Sequence, residues 1–428
     1  MRIAEAGPAG VAPNGGWLGN PLHESWLLAE ANRLLDFYQY ACVDPGGGFF
    51  ELDSEGVPAK VPNKDLVVSA RMTYTFSLAH LMGRPGAGAV ADHGIRFLLE
   101  RHRDPQHGGY YWTAGADRPI DSAKQGYGHA HVLLAAATAV LADRPEGDRL
   151  LQDVTEVLDR RFWSEEEGLF VEEFPRDWAG RSGYRGQNSN MHMVEGLLAA
   201  HDATGESEYL RRALSVCRRL IAEKTASNDW RLAEHYTADW EIDPDYNRDD
   251  PDHLYRPYGS IVGHWLEWAR LLCQAWAATG NREAWCLESA RRLFRQALSD
   301  GWNVSGEGLI YTVDFQGRPL SRDRYWWTFA EALGAAAYLA DVTGVAEYER
   351  WYRTFWDFTH RHVIDHRRGG WHAVLDPDNQ PKSQPWSGKP DLYHALHACL
   401  LPLLPTDRGL AVSLRQGLTR SGAARGVR

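Results

Sequence analysis

Four side chains suited to chemistry stand at matched distances behind a repeated glycine–aromatic segment. Arg71, His131, His192 and His394 lie 23, 22, 24 and 24 residues after Gly48, Gly109, Gly168 and Gly370. Tyr127, Asn188, His264, Glu267, Trp326 and Trp327 occupy the same stretch of their own repeats, close behind the segment. Equivalent positions in a rotationally repeated fold point at one axis, so these residues are expected to meet at a single mouth. The set suits proton transfer. An imidazole titrates near pH 6.5, so it takes and returns a proton readily, as reversible transfer at a carbon beside a carbonyl requires. The enediolate formed on the way is anionic, and Arg71 with Arg256, in Arg256-Pro257-Tyr258-Gly259, would stabilise it. Glu267 follows His264 by three residues on one helix face, placed to orient that imidazole.

Two other chemistries compete. Three histidines could bind a metal, but His-Glu-x-x-His is absent and His129-x-His131 has the wrong spacing for one helix face, so no metal and no cofactor is expected. Glycoside hydrolysis needs two carboxylates flanking the cleaved bond, and the candidate region offers Glu195 and Glu267 as the evident ones. His80, His102, His201, His360 and His362 fit structural or exposed roles.

The elements that must position these residues are legible as a repeat. A turn-plus-aromatic segment recurs at Gly48, Gly109, Gly168, Trp230, Gly308 and Gly370, in steps of 61, 59, 62, 78 and 62 residues, and reads as a small β-hairpin each time. After each hairpin comes an Ala/Leu-rich helix apolar on most faces, as in residues 128–141, 191–203, 328–340 and 393–404. An amphipathic helix follows: Leu210, Ala213, Leu214, Cys217, Leu220 and Ile221 form one stripe, while Arg211, Arg212, Arg218 and Arg219 face water. Buried-all-round then buried-on-one-side means inner helix then outer helix. Six such units, with a helix at residues 21–40 pairing with the last, predict an all-α (α/α)6 barrel of twelve helices with short hairpins at one end. A linear solenoid is the competing architecture, but it would want a polar capping repeat, and the last helix here is apolar. The long step contains the polar insert 243–253, expected to lie as a loop over the cleft.

Composition narrows the partners. The 428 residues carry a net charge of −11, which disfavours nucleic acid and anionic membranes as partners. The longest apolar run, 132–142, is too short to span a bilayer, and residues 1–16 lack the apolar core of a signal peptide, so a cytoplasmic protein is expected. The chain divides into a disordered segment 1–16, one barrel domain 17–406 and a flexible basic tail 407–428 carrying Arg408, Arg415, Arg420, Arg425 and Arg428. Five cysteines, odd in number and without a Cys-x-x-Cys, signal neither disulfides nor zinc. Eighteen Trp and eighteen Tyr supply the amphipathic rings of a sugar-binding cleft.

At these residues the sequence resembles the N-acylglucosamine 2-epimerase superfamily of aldose–ketose isomerases and sugar 2-epimerases. The resemblance is carried by Ser69-Ala70-Arg71-Met72-Thr73, Tyr127-Gly128-His129-Ala130 and Asn188-Ser189-Asn190-Met191-His192. Arg256-Pro257-Tyr258-Gly259, Gly263-His264-Trp265-Leu266-Glu267-Trp268 and Gly388-Lys389-Pro390-Asp391-Leu392-Tyr393-His394 continue it in order along the chain. It implies an (α/α)6 barrel with no required metal and a monosaccharide substrate, with His264 and His394 as the acid/base pair and Glu267 supporting His264. Arg71, Tyr127, Asn188, His192, Arg256, Trp326 and Trp327 would bind the sugar, help open its ring or stabilise the intermediate. The expected activity is interconversion of D-mannose and D-fructose, with D-lyxose and D-xylulose as a second pair, by a monomer or homodimer. A 2-epimerase of mannose/glucose, cellobiose or N-acylglucosamine type is the alternative, and a carbohydrate-binding or hydrolytic barrel the alternative from another class.

Overall fold

The computed structural model describes residues 16–302 and 307–420; the expected disordered segment falls outside them except for Gly16. The thirteen α-helices among these residues are α1 (Pro21–Tyr38), α2 (Leu66–Leu81), α3 (Ala87–Phe97), α4 (Gly126–Leu141), α5 (Gly147–Val157), α6 (Gln187–Thr204), α7 (Ser207–Cys217), α8 (Val262–Ala278), α9 (Ala284–Gly301), α10 (Trp326–Thr343), α11 (Ala346–Phe358), α12 (Tyr393–Leu400) and α13 (Leu410–Arg415).

The even-numbered helices α2 to α12 pack against one another in chain order, and α12 returns to α2, closing an inner ring. The odd-numbered helices α3 to α11 each pack on the preceding inner helix, and α1 packs on α12, so the expected (α/α)6 barrel is present. Sequence explains the division. α4 and α10 are rich in Ala and buried on nearly every face, which lets backbones approach within the inner ring. α7 buries Tyr209, Ala213, Val216 and Cys217 and leaves its arginines at the surface. The inner helices α6 and α10 end at Gly205 and Gly344 in the left-handed conformation, at φ of 75° and 65°, which stops the helix and turns the chain outward.

Every inner helix starts from a strand pinned by the neighbouring unit. Lys64–Asp65 pairs antiparallel with Thr113–Ala114, Lys124–Gln125 with Glu173–Phe174 and Arg185–Gly186 with His235–Tyr236. Ser260–Ile261 then pairs with Thr312–Val313, and Arg324–Tyr325 with Val374–Leu375. The circuit closes where Lys389, just before α12, bridges Leu52 of the first hairpin. No sheet among the described residues exceeds three strands. Because these pairings anchor the helix N-termini, side chains in the first turns of the inner helices are fixed relative to one another around the mouth.

Residues 407–420 correct the expectation of a flexible tail. They include α13, which packs against α2, α4 and α6 with Leu410, Ala411 and Ser413 buried. Counting arginines after Pro405 overlooked the apolar stripe Leu410, Ala411 and Leu414, which gives this segment a face to bury. The basic groups are partnered: Arg408 with Asp407 at 2.8 Å and Arg415 with Asp143 at 3.2 Å. Residues 421–428 lie outside the described residues.

Candidate active site

The strand-anchored ends of the inner helices surround one pocket of about 60 Å³. Arg71 (α2), Tyr127 (α4), Asn188 and His192 (α6), His264 and Glu267 (α8), Trp326 and Trp327 (α10) and His394 (α12) all line it. Arg256 does not. Its guanidinium lies outside the lining, donating to Glu173 Oε2 at 2.7 Å and covering the Tyr184 ring at 4.3 Å, so it holds the segment beside the insert. The insert leads into Leu254 and Tyr255, which do line the pocket; the Tyr255 ring lies 5.5 Å from Trp112 and 5.9 Å from Tyr127.

Trp327 sits between the two expected acid/base residues, its ring 5.1 Å from His264 and 5.8 Å from His394. Gly263 makes that possible: a Cβ there would stand 2.4 Å from the Trp327 ring, so any other residue would push the indole away.

Each of those histidines is held by a carboxylate, and neither carboxylate is Glu267. His264 Nδ1 lies 2.9 Å from Glu234 Oε2, whose other oxygen accepts from the Ile261 amide at 3.1 Å. His394 Nδ1 lies 2.9 Å from Glu331 Oε1. Charge complementarity assigns the Nδ1 protons as donors to these carboxylates, leaving both Nε2 atoms free to exchange a proton. Burial favours protonation of Glu234, but His264 and Gln187 outweigh it and hold the carboxyl below its ordinary range. Burial, reinforced by Arg71, pushes His394 well below 6.5 and keeps it neutral.

Glu267 therefore has a different place from the one its spacing suggested. The i+3 offset put it on the face of His264, but its Oε1 points toward Arg270, at 3.4 Å, and lies 3.9 Å from His192 Nδ1. Burial and the neighbouring Glu331 raise its pKa well above the usual carboxylate range, so it carries a proton. Beneath the pocket Arg270 also binds Glu331 at 2.7 Å and Glu195 at 3.2 Å. Burial would raise Glu195, but Arg270 and His192 hold it well below the ordinary range.

Arg71 remains charged despite burial, with Tyr127 Oη 3.0 Å away, Asp391 Oδ2 3.3 Å away and the Tyr393 ring beneath at 4.6 Å. Burial lowers His192 to about 4, and its ring lies 4.5 Å from that of His131, so both are neutral donors or acceptors and not cations.

Arg71 Nε, Asn188 Oδ1, His192 Nδ1, Glu267 Oε2 and Trp326 Nε1 are buried and have no hydrogen-bond partner among the described residues. Unsatisfied polar atoms are rare in protein interiors, and five lining one pocket describe a site built for a ligand with several hydroxyl groups.

His192, Glu195 and Glu267, and separately Glu267, Glu331 and His394, bring metal-ligating atoms within 4.8 Å of one another. Arg270 contacts all three of these carboxylates, so the positive charge that such a donor set would seek in a cation is already supplied by a guanidinium.

The sequence reading missed Glu234, Glu331, Asp391, Tyr255 and Trp386. Signals were available for Glu331: it is the lone charged residue of 326–340, and it lies 23 residues after Gly308, as Arg71 does after Gly48.

Comparison with known proteins places the fold and the sequence in a family. A D-mannose isomerase from Thermobifida fusca is 45% identical over 401 residues, covering 93% of this chain and 98% of the relative. Another from Pseudomonas cannabina pv. alisalensis is 43% identical, covering 93% and 97%. A crystal structure of D-mannose isomerase superposes with a TM-score of 0.84 at 35% identity, covering 90% of this chain and 99% of that one. The cellobiose 2-epimerase of Spirochaeta thermophila shares the fold, with a TM-score of 0.77 at 23% identity. The pattern described as N-acylglucosamine 2-epimerase (GlcNAc 2-epimerase) matches residues 47–398, and the chain belongs to that family.

Proposed function

We propose that the protein is an aldose–ketose isomerase that interconverts D-mannose and D-fructose, with D-lyxose and D-xylulose as a second pair. The observation that carries this reading is the pair of carboxylate-oriented imidazoles, His264 and His394, on either side of Trp327 in a pocket with unpaired polar groups. Relatives named D-mannose isomerase at 43% and 45% identity support the substrate.

One imidazole Nε2 takes the proton from C2 of the open-chain aldose, and electrons move into the C1 carbonyl to give a cis-enediolate. The protonated base returns the proton to C1, while a second acidic group manages the protons on O1 and O2. Arg71 faces the developing negative charge, and protonated Glu267 donates a hydrogen bond to a sugar oxygen without adding charge. The Arg270 cluster supplies charge balance in place of a divalent ion, so the reaction runs without metal. The pocket is smaller than the roughly 150 Å³ that admits a benzene-sized ring, so Leu254, Tyr255 or Trp386 moves outward to admit sugar. The protein works in the cytoplasm as a monomer or homodimer; no helix among the described residues is long and apolar enough to cross a membrane.

The test is NMR of D-mannose incubated with pure protein in D₂O. The isomerase reading expects fructose as product, labelled at C1 and at no other carbon to the extent that the protonated base exchanges with solvent before it returns the proton. Glucose labelled at C2 would instead establish a 2-epimerase using the same two histidines, and no turnover of any aldose would overturn both.

A further inference from the structure

A second cavity, of about 250 Å³, lies at the opposite end of the barrel, among the C-terminal halves of the inner helices. It is larger than the pocket at the mouth, and larger than the ~150 Å³ that suffices for a benzene-sized molecule. Segment 406–411 closes it from behind. Gly409 lies against the Asp202 carboxylate, which a Cβ there would push aside.

Its lining is amphipathic. Leu134, Leu198, Leu401 and Leu410 provide apolar wall. The cations are paired: Arg270 with Glu195 at 3.2 Å and with Glu331 at 2.7 Å, and Arg408 with Asp407 at 2.8 Å, while Asp202 adds a further carboxylate to the wall, an acceptor for hydroxyl groups. Two polar atoms are left over. Thr138 Oγ1 and His397 Nδ1 belong to residues that line the cavity and are only 1% exposed, and neither atom has a hydrogen-bond partner among the described residues. Tyr74 Oη lies 2.6 Å from His397 Nε2, and burial lowers His397 to about 3 and raises the Tyr74 phenol. The tyrosine therefore donates to a neutral imidazole, whose remaining proton sits on Nδ1 and faces the cavity.

An anion finds no free cation among the described residues of this chamber and faces the Asp202 carboxylate, and a hydrocarbon would leave both polar atoms unsatisfied. A compact molecule with carbon–hydrogen faces and several hydroxyls meets both demands. We propose that the chamber is a second binding site, for a small neutral polyol, separate from the pocket at the mouth. Glu195 connects the two: it lines the chamber and binds Arg270 through Oε1, while its Oε2 lies 3.5 Å from His192 Nδ1 in the mouth pocket. Occupancy of the chamber is thus felt at the mouth without direct competition.

The probe is xylitol, which has no carbonyl and is not turned over, titrated calorimetrically into the full chain. Thr138→Val removes the orphan hydroxyl without changing shape, and Ala277→Phe fills the chamber from a half-buried position on α8. The parent should show two binding components and mixed inhibition of mannose turnover. Thr138→Val should weaken one component roughly three- to tenfold, the worth of one neutral hydrogen bond, and Ala277→Phe should abolish it, leaving purely competitive inhibition. A single component unchanged in both variants, or no binding beyond the mouth, would mean that the chamber holds only water and would overturn the proposal. The binding readout needs no turnover, so it stands or falls apart from the isomerase reading.

Discussion

Replacing Glu234 by Gln tests whether the hydrogen bond to His264 serves catalysis. Gln keeps an oxygen that accepts from Nδ1, so tautomer and ring orientation survive and the loss is confined to charge. A hydrogen bond to a charged group contributes about 1.5–3 kcal/mol. If that stabilisation is realised when His264 carries the transferred proton, and not in the resting enzyme, its loss appears in kcat. At about 1.36 kcal/mol per tenfold, the expected fall is roughly 10- to 150-fold. KM for mannose should change less than about threefold, because Glu234 lies behind the imidazole and is not among the pocket residues. Steady-state kinetics read both parameters, and circular dichroism with a thermal melt checks that the fold is intact. A variant with kcat within twofold of the parent would show that Glu234 is a structural partner of the strand at Ile261 only. A variant with raised KM and unchanged kcat would show that it positions substrate and not His264.

His394→Ala should lower kcat at least about 10²–10⁴-fold with sugar affinity largely kept, since no other group moves that proton; activity within tenfold of the parent would remove His394 as the base. Because His394 is held below 6.5, kcat/KM should rise with pH along a limb centred below 6.5 and be flat at neutrality, which a pH profile on mannose will read. Prolonged chelation should leave turnover unchanged; a loss restored only by a divalent cation would assign a metal to the Glu267 clusters. Burial raises Asp202 to about 6 in the folded protein from an ordinary 3.8, so its burial penalty is absent below pH 4 and develops fully above pH 6. Asp202→Asn should accordingly raise the melting temperature above pH 6 and leave it unchanged below pH 4.

The ring and the mouth were legible because both follow from periodicity. A hairpin every sixty residues fixes the rotational repeat, and a matched offset behind each hairpin selects Arg71, His192 and His394 as neighbours although Arg71 and His394 lie 323 residues apart. Periodicity fails for groups that arrive from elsewhere. Glu234 reaches His264 from a hairpin, so it lacks the offset that made the others visible; Glu331, 23 residues after Gly308, shares that offset and was legible by it. Arg256 was misplaced for the opposite reason: it follows the non-repeating insert, where spacing says nothing about direction. Glu267 did meet the i+3 rule, but burial among Glu331, Glu195 and Arg270 decides where its oxygens point, and that environment is assembled only in three dimensions.

The bridge between Leu52 and Lys389 has a consequence for how the molecule comes apart. A linear array of helical hairpins frays from its ends, because a terminal unit has a neighbour on one side only. Here every unit lends a strand to one neighbour and borrows one from the other, and the last lends to the first. Loss of order in any unit exposes unpaired backbone on both flanks, so a local opening is penalised twice wherever it begins. Among the barrel units there is no weakest end: unfolding is expected to be collective, and the helix ends around the mouth stay in register because none of them is a terminus.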